Sequence, residues 1–410
     1  MRQSGVGVEP VVCSFCHRPQ HEVRRLVQGP DVCICDSCIV SCQHLVVASE
    51  APRRGFTAAL PIPSEIKRFL DTYVVGQDRA KKQLAVAVYN HYKRVEIRRR
   101  HGADAELGKS NVLMLGPTGT GKTLLAESLA RVLDVPFAAY DATTLTQAGY
   151  VGEDVENVLR RLLQAALGDV TRCQQGIVYI DEVDKIARRS DGSRHLRDVS
   201  GEGVQQALLR MLEGTVSNVP PQGGRKHPQQ ETIAIDTTDI LFICGGAFVG
   251  LDDIVARRLG KRRMGFKTSR RAPADPARRP VVASVEPEDL VNYGLIPEFV
   301  GRLPVVAVLD PLDRDDLVRV LTEPRNALVR QYQRLFEYEG ATLRFTDGAL
   351  EALAEAALAR RMGARALRTV VEAAMLDVMY ALPSNPALRE VVVTRHAVQT
   401  LELPPAKQAV

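Results

Sequence analysis

The chain has 410 residues, 45% of them hydrophobic and 25% charged, a globular composition that excludes a mainly disordered or collagen-like protein. The formal net charge is only +5, yet the segment from Arg257 to Pro280 holds ten Lys or Arg against one Asp. The rest of the chain therefore sums to −4, which argues against a uniformly basic surface for nucleic acid. No charge-free apolar run approaches the roughly 20 residues of a membrane-spanning helix, the longest being Ile240 to Leu251. The opening MRQSGVGVEPVVC lacks the apolar core of a secretory signal, so the expected compartment is the cytoplasm. There the eight cysteines stay reduced, and clustered ones are read as metal ligands rather than disulfides.

Residues 1–50 read as a separate zinc-binding domain. Cys13 and Cys16 form one C-x-x-C pair, and Cys35 and Cys38 form a second after eighteen intervening residues, the spacing of a four-thiolate zinc site. Each pair sits on a tight knuckle aiming two thiolates at one metal, and four close a tetrahedral structural centre with no open catalytic position. A unit this small has too little core to be stable alone, so the metal supplies much of its folding free energy. Cys33, Cys42, His17, His21 and His44 are rival ligands nearby. Cys33 is one residue removed from Cys35, with a side chain expected to diverge, and Cys42 reads as a small buried hydrophobe.

A Pro- and Arg-containing linker is expected over 51–63, followed by a large α/β domain over 64–311. In that domain helical segments alternate with short apolar runs, Val112–Leu115, Ile177–Ile180 and Ile240–Cys244, the pattern of a parallel sheet. The run NVLML leads into Gly116-Pro117-Thr118-Gly119-Thr120-Gly121-Lys122-Thr123 and then, from Leu124, into a helical segment. This strand–loop–helix context identifies a phosphate-binding loop for ATP. Its glycines let backbone N–H groups surround the phosphates, Lys122 reaches the β- and γ-phosphates, and Thr123 offers its hydroxyl to Mg²⁺. A second apolar run ends in Asp181-Glu182. Asp181 is placed to hold the Mg²⁺ water shell and Glu182 to activate the attacking water, so hydrolysis rather than mere binding is predicted. Asp184 is assigned a structural role.

Beyond Pro311 the chain reads as a smaller, mostly helical α+β domain over 312–400, followed by a tail over 401–410. Helical periodicity covers Arg314–Tyr338, Thr346–Arg361 and Ala364–Tyr380, and only Ala341–Phe345 and Arg389–Thr394 read as strands. No Ser-His-Asp or H-E-x-x-H constellation is present, so the chain is not expected to cleave peptides itself.

Taken together, the four-cysteine segment, GPTGTGKT, IVYIDEVDKI, LTQAGYVGEDVENVL and RDVSGEGVQQALLRMLEGTVSNVPPQGGRKHPQQ resemble the ClpX family of AAA+ ATPases, from Cys13 to about Arg368. The resemblance implies a zinc domain that engages adaptors, large and small AAA+ domains, and a homohexamer that unfolds and translocates protein substrates into a ClpP-type peptidase. By the same resemblance, Tyr150 and Val151 belong to an aromatic pore loop, Arg197 to Gly203 to a second one, and Arg225, Lys226 and His227 to a cationic entrance loop. Arg302 corresponds to an arginine finger acting on the neighbouring subunit's nucleotide, and Arg365 to a sensor arginine. Val75, within Tyr73-Val74-Val75-Gly76-Gln77, packs on the adenine. Met264, Gly265 and Phe266 correspond to a peptidase-docking loop, with Met in place of the usual aliphatic residue. Two other readings are a remodelling chaperone without a peptidase and a nucleic-acid motor built on the basic loop. The charge balance and the aromatic pore loop weigh against the second.

Overall fold

The computed structural model describes residues 12–16, 18–23, 25–30, 32–39, 42, 60–101, 108–146, 153–188, 201–220, 232–262, 284–360, 362–384 and 389–399. The chain divides into two compact units, 1–59 and 60–410. In the first, β1 (Leu26–Gln28) pairs antiparallel with β2 (Cys33–Cys35), Leu26 opposite Cys35 and Gln28 opposite Cys33. The turn is closed by Gly29 N donating to Val32 O at 2.7 Å. Cys13 and Cys35 are the only buried hydrophobic residues among those described in this unit, while Phe15, Val27 and Val32 are exposed. So little apolar burial cannot offset the entropy of ordering the chain, and the thiols lie where a core would otherwise be.

The second unit opens with α1 (Pro63–Asp71), whose proline stands at the first turn, where no backbone donor is needed. Glu65 Oε2 accepts from Ile62 N at 3.1 Å, satisfying a donor just before the helix. Then come α2 (Asp78–His101), β3 (Val112–Leu115), α3 (Lys122–Leu133) and β4 (Phe137–Asp141). The chain continues through two short paired strands, β5 (Leu145–Thr146) and β6 (Glu153–Asp154), then α4 (Asn157–Ala165), α5 (Val170–Cys173) and β7 (Ile177–Asp181). After α6 (Glu202–Glu213), the hairpin strands β8 (Val216–Val219) and β9 (Ile233–Asp236) lead to β10 (Leu241–Gly246). Three helices, α7 (Leu251–Arg262), α8 (Pro287–Tyr293) and α9 (Pro297–Gly301), precede β11 (Val305–Val308).

Five of these strands form one parallel sheet in the order β11-β3-β10-β7-β4. All four residues of β3 are buried, as a parallel strand covered on both faces requires. Val112 lies beside both Ile243 and Val305, so the central strands share one level in the core. β10 runs two residues past the apolar stretch read from the sequence. Gly245 and Gly246 continue the strand because the neighbours crowd it: a Cβ at Gly245 would come within 2.9 Å of the Tyr179 ring.

The remainder packs around its own hydrophobic cluster, including Leu317, Leu321, Phe336, Leu353, Leu367, Val370 and Met375. The long helical segment read after Pro311 is two helices, α10 (Arg314–Thr322) and α11 (Leu328–Tyr338), because Pro324 cannot continue a helical hydrogen-bond ladder. Next come β12 (Thr342–Phe345), α12 (Asp347–Ala359), α13 (Ala364–Ala381), β13 (Glu390–Val393) and α14 (Arg395–Gln399). β12 and β13 pair in parallel, with α12 and α13 making the crossover that parallel pairing demands. The architecture is mixed α/β with a four-cysteine segment first, a parallel-sheet layer second and a helical part last. Among the described residues no helix is long and apolar enough to cross a membrane.

Candidate nucleotide and metal sites

The chain leaves β3 at Leu115 and enters α3 at Lys122, so the loop 116–121 lies at the carboxyl edge of the sheet, where open α/β folds bind ligands. Three of its glycines adopt backbone shapes an L-side chain resists, Gly119 at φ +81° and Gly121 at φ +99° among them. A Cβ at Gly116 would lie 2.7 Å from the Leu309 carbonyl oxygen. Pro117 and Thr118 are exposed, Thr120 is buried with its hydroxyl donating to Pro117 O at 2.9 Å, and Leu124 is half-buried on α3.

Lys122 is buried at the start of α3, and burial lowers its pKa. Its Nζ donates to the carbonyl oxygens of Gly116 and Pro117 at 2.7 and 3.0 Å, which holds the ammonium inside the loop it would share with phosphates. Thr123 Oγ1 donates to Asp181 Oδ2 at 3.3 Å, although the two residues are 58 apart in sequence. The other oxygen, Asp181 Oδ1, accepts from Tyr179 OH and from Glu182 N, both at 3.0 Å. A hydroxyl and a clamped carboxylate thus face one another at the loop, a hard-oxygen donor set that fits Mg²⁺. Tyr179 reads as a core residue in its apolar strand, and nothing in the sequence signals its hold on Asp181.

Glu182 directly follows β7 in the left-handed region, φ +57°, an uncommon conformation for a non-glycine residue and one found at functional turns. Burial raises its carboxyl pKa, and the neighbouring Asp141, Asp181 and Asp184 raise it further. Asp184 is buried, and its Oδ1 accepts from Ala247 N at 3.1 Å, which fastens the ends of β7 and β10 together.

The helical part reaches this loop directly. Ala364 N donates to Gly119 O at 3.1 Å, and Arg365 Nη2 stands 4.0 Å from Asp181 Oδ2. Gly119 and Gly363 meet back to back: a Cβ on Gly119 would overlap the Met362 carbonyl oxygen and stand 2.9 Å from Gly363 Cα. Gly119→Ala is therefore expected to destabilise the unit by at least about 1–3 kcal/mol and to weaken nucleotide binding, as thermal melts with and without ATP will show. The 363 position gave no sequence signal, because its partner lies far along the chain.

The neighbouring Val74 lies beside the loop, since a Cβ at Gly121 would touch its Cγ1 at 3.6 Å, and Val75, next in the chain, is buried. Lys81 Nζ anchors this segment through Val74 O. Gln77, at φ +58°, uses both ends of its amide on Asp310, donating to the carbonyl oxygen and accepting from the N–H, each at 2.8 Å. The segment beside the loop is thereby tied to the strand of chain leading into the helical part.

Arg302 is not at the phosphate loop. It follows α9 at the opposite, amino edge of the sheet, where Nε and Nη2 donate to Glu213 Oε1 at 3.0 and 2.8 Å. Tyr150, Val151, Arg225, Lys226, His227, Met264, Gly265 and Phe266 lie outside the described residues, as do Arg197 to Ser200 and the Pro/Arg-rich segment 270–280. Gly201 to Gly203 are described and lead into α6.

In the first unit the sulfur atoms of Cys13, Cys16, Cys35 and Cys38 all lie within 4.8 Å of one another. Cys16 and Cys35 are 3.6 Å apart, close to the roughly 3.8 Å edge of a zinc–tetrathiolate tetrahedron with bonds near 2.3 Å. Cys35 N donates to Cys13 Sγ at 3.3 Å and Cys38 N to Cys35 Sγ at 3.4 Å, bonds that stabilise thiolates. Burial pushes the Cys13 thiol up, but the N–H groups of Cys16, Phe15 and Cys35 outweigh it and bring it down to about 6. The four sulfurs therefore form a metal-binding site that fits zinc. Cys33 is excluded for a reason different from the one expected. It lies on the same strand face as Cys35, but two residues along a strand separate it by about 6.6 Å, so distance rather than divergence keeps it from the cluster.

Three family comparisons match consecutive parts of the chain. A family described as "ClpX C4-type zinc finger" matches residues 11–48. One described as "AAA domain (Cdc48 subfamily)" matches residues 108–306, and one described as "C-terminal, D2-small domain, of ClpB protein" matches residues 312–395.

Proposed function

The chain is a ClpX-like AAA+ protein, an ATPase of the chaperone class with a zinc finger, and from that premise we propose that it unfolds proteins and threads them to a ClpP-type peptidase. The observation that supports a mechanical role is the joint between Gly119 and Met362–Ala364, where the phosphate loop and the helical part share a hydrogen bond and a glycine-on-glycine contact. Any shift of the loop on nucleotide turnover displaces the helical part with it, so chemistry becomes domain motion. As AAA+ proteins are usually oligomeric, the working assembly is a homohexamer, and the zinc unit, a separate compact body, recruits adaptors or substrates.

In this reading Lys122 exchanges its carbonyl acceptors, Gly116 and Pro117, for phosphate oxygens. Thr123 and Asp181 would hold Mg²⁺, whose charge would offset that of the phosphates. Glu182, ionised, takes the proton of the attacking water. Arg365 contacts the phosphates from the helical side, and Val75 packs on the base.

Tyr150→Ala is expected to abolish unfolding of a tagged, stable protein while ATP turnover continues. Phe266→Ala should leave unfolding intact and abolish degradation with added peptidase, because a buried anchor is lost at every docking loop of the ring. Unchanged degradation in the Phe266 variant would favour remodelling without a peptidase. Normal unfolding by the Tyr150 variant would remove the translocase reading.

A further inference from the structure

Arg302 lies just before β11, level with the start of β3, because Val305 pairs with Val112. Its carbonyl oxygen accepts from Asn111 Nδ2 at 3.0 Å, immediately ahead of β3. The phosphate loop begins only after the four residues of β3, about 13 Å further along the strand direction. The guanidinium cannot cover that distance in its own subunit, which supports an action on a neighbouring subunit's nucleotide.

The surroundings of Arg302 are built with some care. Asn111 is buried, and the same Nδ2 that holds Arg302 O also donates to Leu212 O at 3.2 Å. One amide thus sets the backbone of Arg302 against the end of α6. The next residue, Glu213, is the last of α6, where a carboxylate faces the negative end of the helix dipole. Local preference would place a cation there. The conflict is resolved by Arg302, whose Nε and Nη2 both bind Glu213 Oε1. Both side chains are about half exposed, so the pair adds little to folding stability. In this pair the Nε edge of the guanidinium is occupied by Glu213, and Nη1 has no partner among the described residues.

We propose that Glu213 is a positioning residue for Arg302, holding one edge of the guanidinium so that its far end projects to the nucleotide of the adjoining subunit, with Asn111 fixing both backbones. The proposal rests on the reading of Arg302 as a finger acting between subunits. A misaimed group that contacts only the transition state costs rate rather than substrate affinity. Glu213→Ala should therefore lower kcat for ATP about tenfold or more with KM nearly unchanged.

The test uses the full chain and mixed rings. Glu182→Gln subunits have an inactive site of their own but an intact finger; Glu213→Ala subunits have the reverse. Mixing the two is expected to yield more turnover than the sum of the separate variants, because Glu213→Ala sites then face an intact finger. Arg302→Ala mixed with Glu182→Gln serves as the reference. If that reference recovers turnover while the Glu213→Ala mixture does not, or if Glu213→Ala alone matches wild type, Glu213 has no positioning role and the finger reading stands. If Arg302→Ala alone keeps wild-type turnover, the finger reading fails and the proposal goes with it.

Discussion

Glu182→Gln is expected to lower ATP turnover by about 10²–10⁴-fold while ATP still binds. Glutamine keeps the shape at the end of β7 and leaves Lys122, Thr123 and the loop untouched, but it cannot accept a proton from water. The pH dependence has a definite sign. Burial, then Asp141, Asp181 and Asp184, raise the Glu182 pKa, so the reactive carboxylate is lost at a higher pH than for an ordinary glutamate as the solution is acidified. Wild-type kcat should fall on that acid limb, and the residual rate of the variant should not follow it. Stability runs the other way. A carboxyl with a raised pKa in the folded state binds its proton more tightly there, so its contribution favours folding at low pH and is lost as pH rises through the folded value. The neutral variant escapes this loss and should melt at or above the wild-type temperature near neutral pH. Since the chain has no Trp, circular dichroism or calorimetry is the appropriate readout. Turnover within a few-fold of wild type would remove Glu182 from the role of base.

Removing the metal should have the largest structural effect. Structural zinc in small fingers binds with roughly 10–16 kcal/mol of apparent free energy, and that energy is folding energy. In the full chain, chelation or Cys13→Ser is expected to release one zinc and to abolish amide protection over residues 26–38, where β1 and β2 pair beside the thiols. ATP turnover should persist, because residues from 60 onward form a separate unit with hydrophobic clusters of their own. Cys33→Ser and Cys42→Ser should keep the metal, as neither belongs to the group of four sulfurs. Metal analysis showing zinc loss from Cys33→Ser would overturn the ligand assignment.

Some features were readable because they depend on neighbours in sequence. Two C-x-x-C pairs impose two knuckles, and the run of glycines before Lys122 at the end of an apolar strand imposes a loop on a helix start. Asp181 and Glu182 could be named because a buried strand that ends in carboxylates must deliver them to an edge. The same local logic identifies the three central strands β3, β10 and β7 and the mixed α/β class, but not the edge strands β4 and β11. Periodicity does not separate the two helices between Arg314 and Tyr338, where Pro324 interrupts an otherwise helical pattern, and the apolar run Ile240–Cys244 stops short of Gly245 and Gly246, which complete β10.

The sequence alone determined which chemical groups the protein carries and the backbone form of the loops that bear them, since both follow from residues a few positions apart. Only the tertiary structure decided what those groups meet. The strand order β11-β3-β10-β7-β4 brings Thr123 to Asp181, and it places Arg302 at the edge opposite the phosphate loop. The contacts of Gly119 with Gly363, Gln77 with Asp310 and Glu213 with Arg302 join residues from 89 to more than 230 positions apart. No periodicity or spacing encodes such pairs. They follow from how the buried faces of sheet and helices pack, which is a property of the whole chain at once.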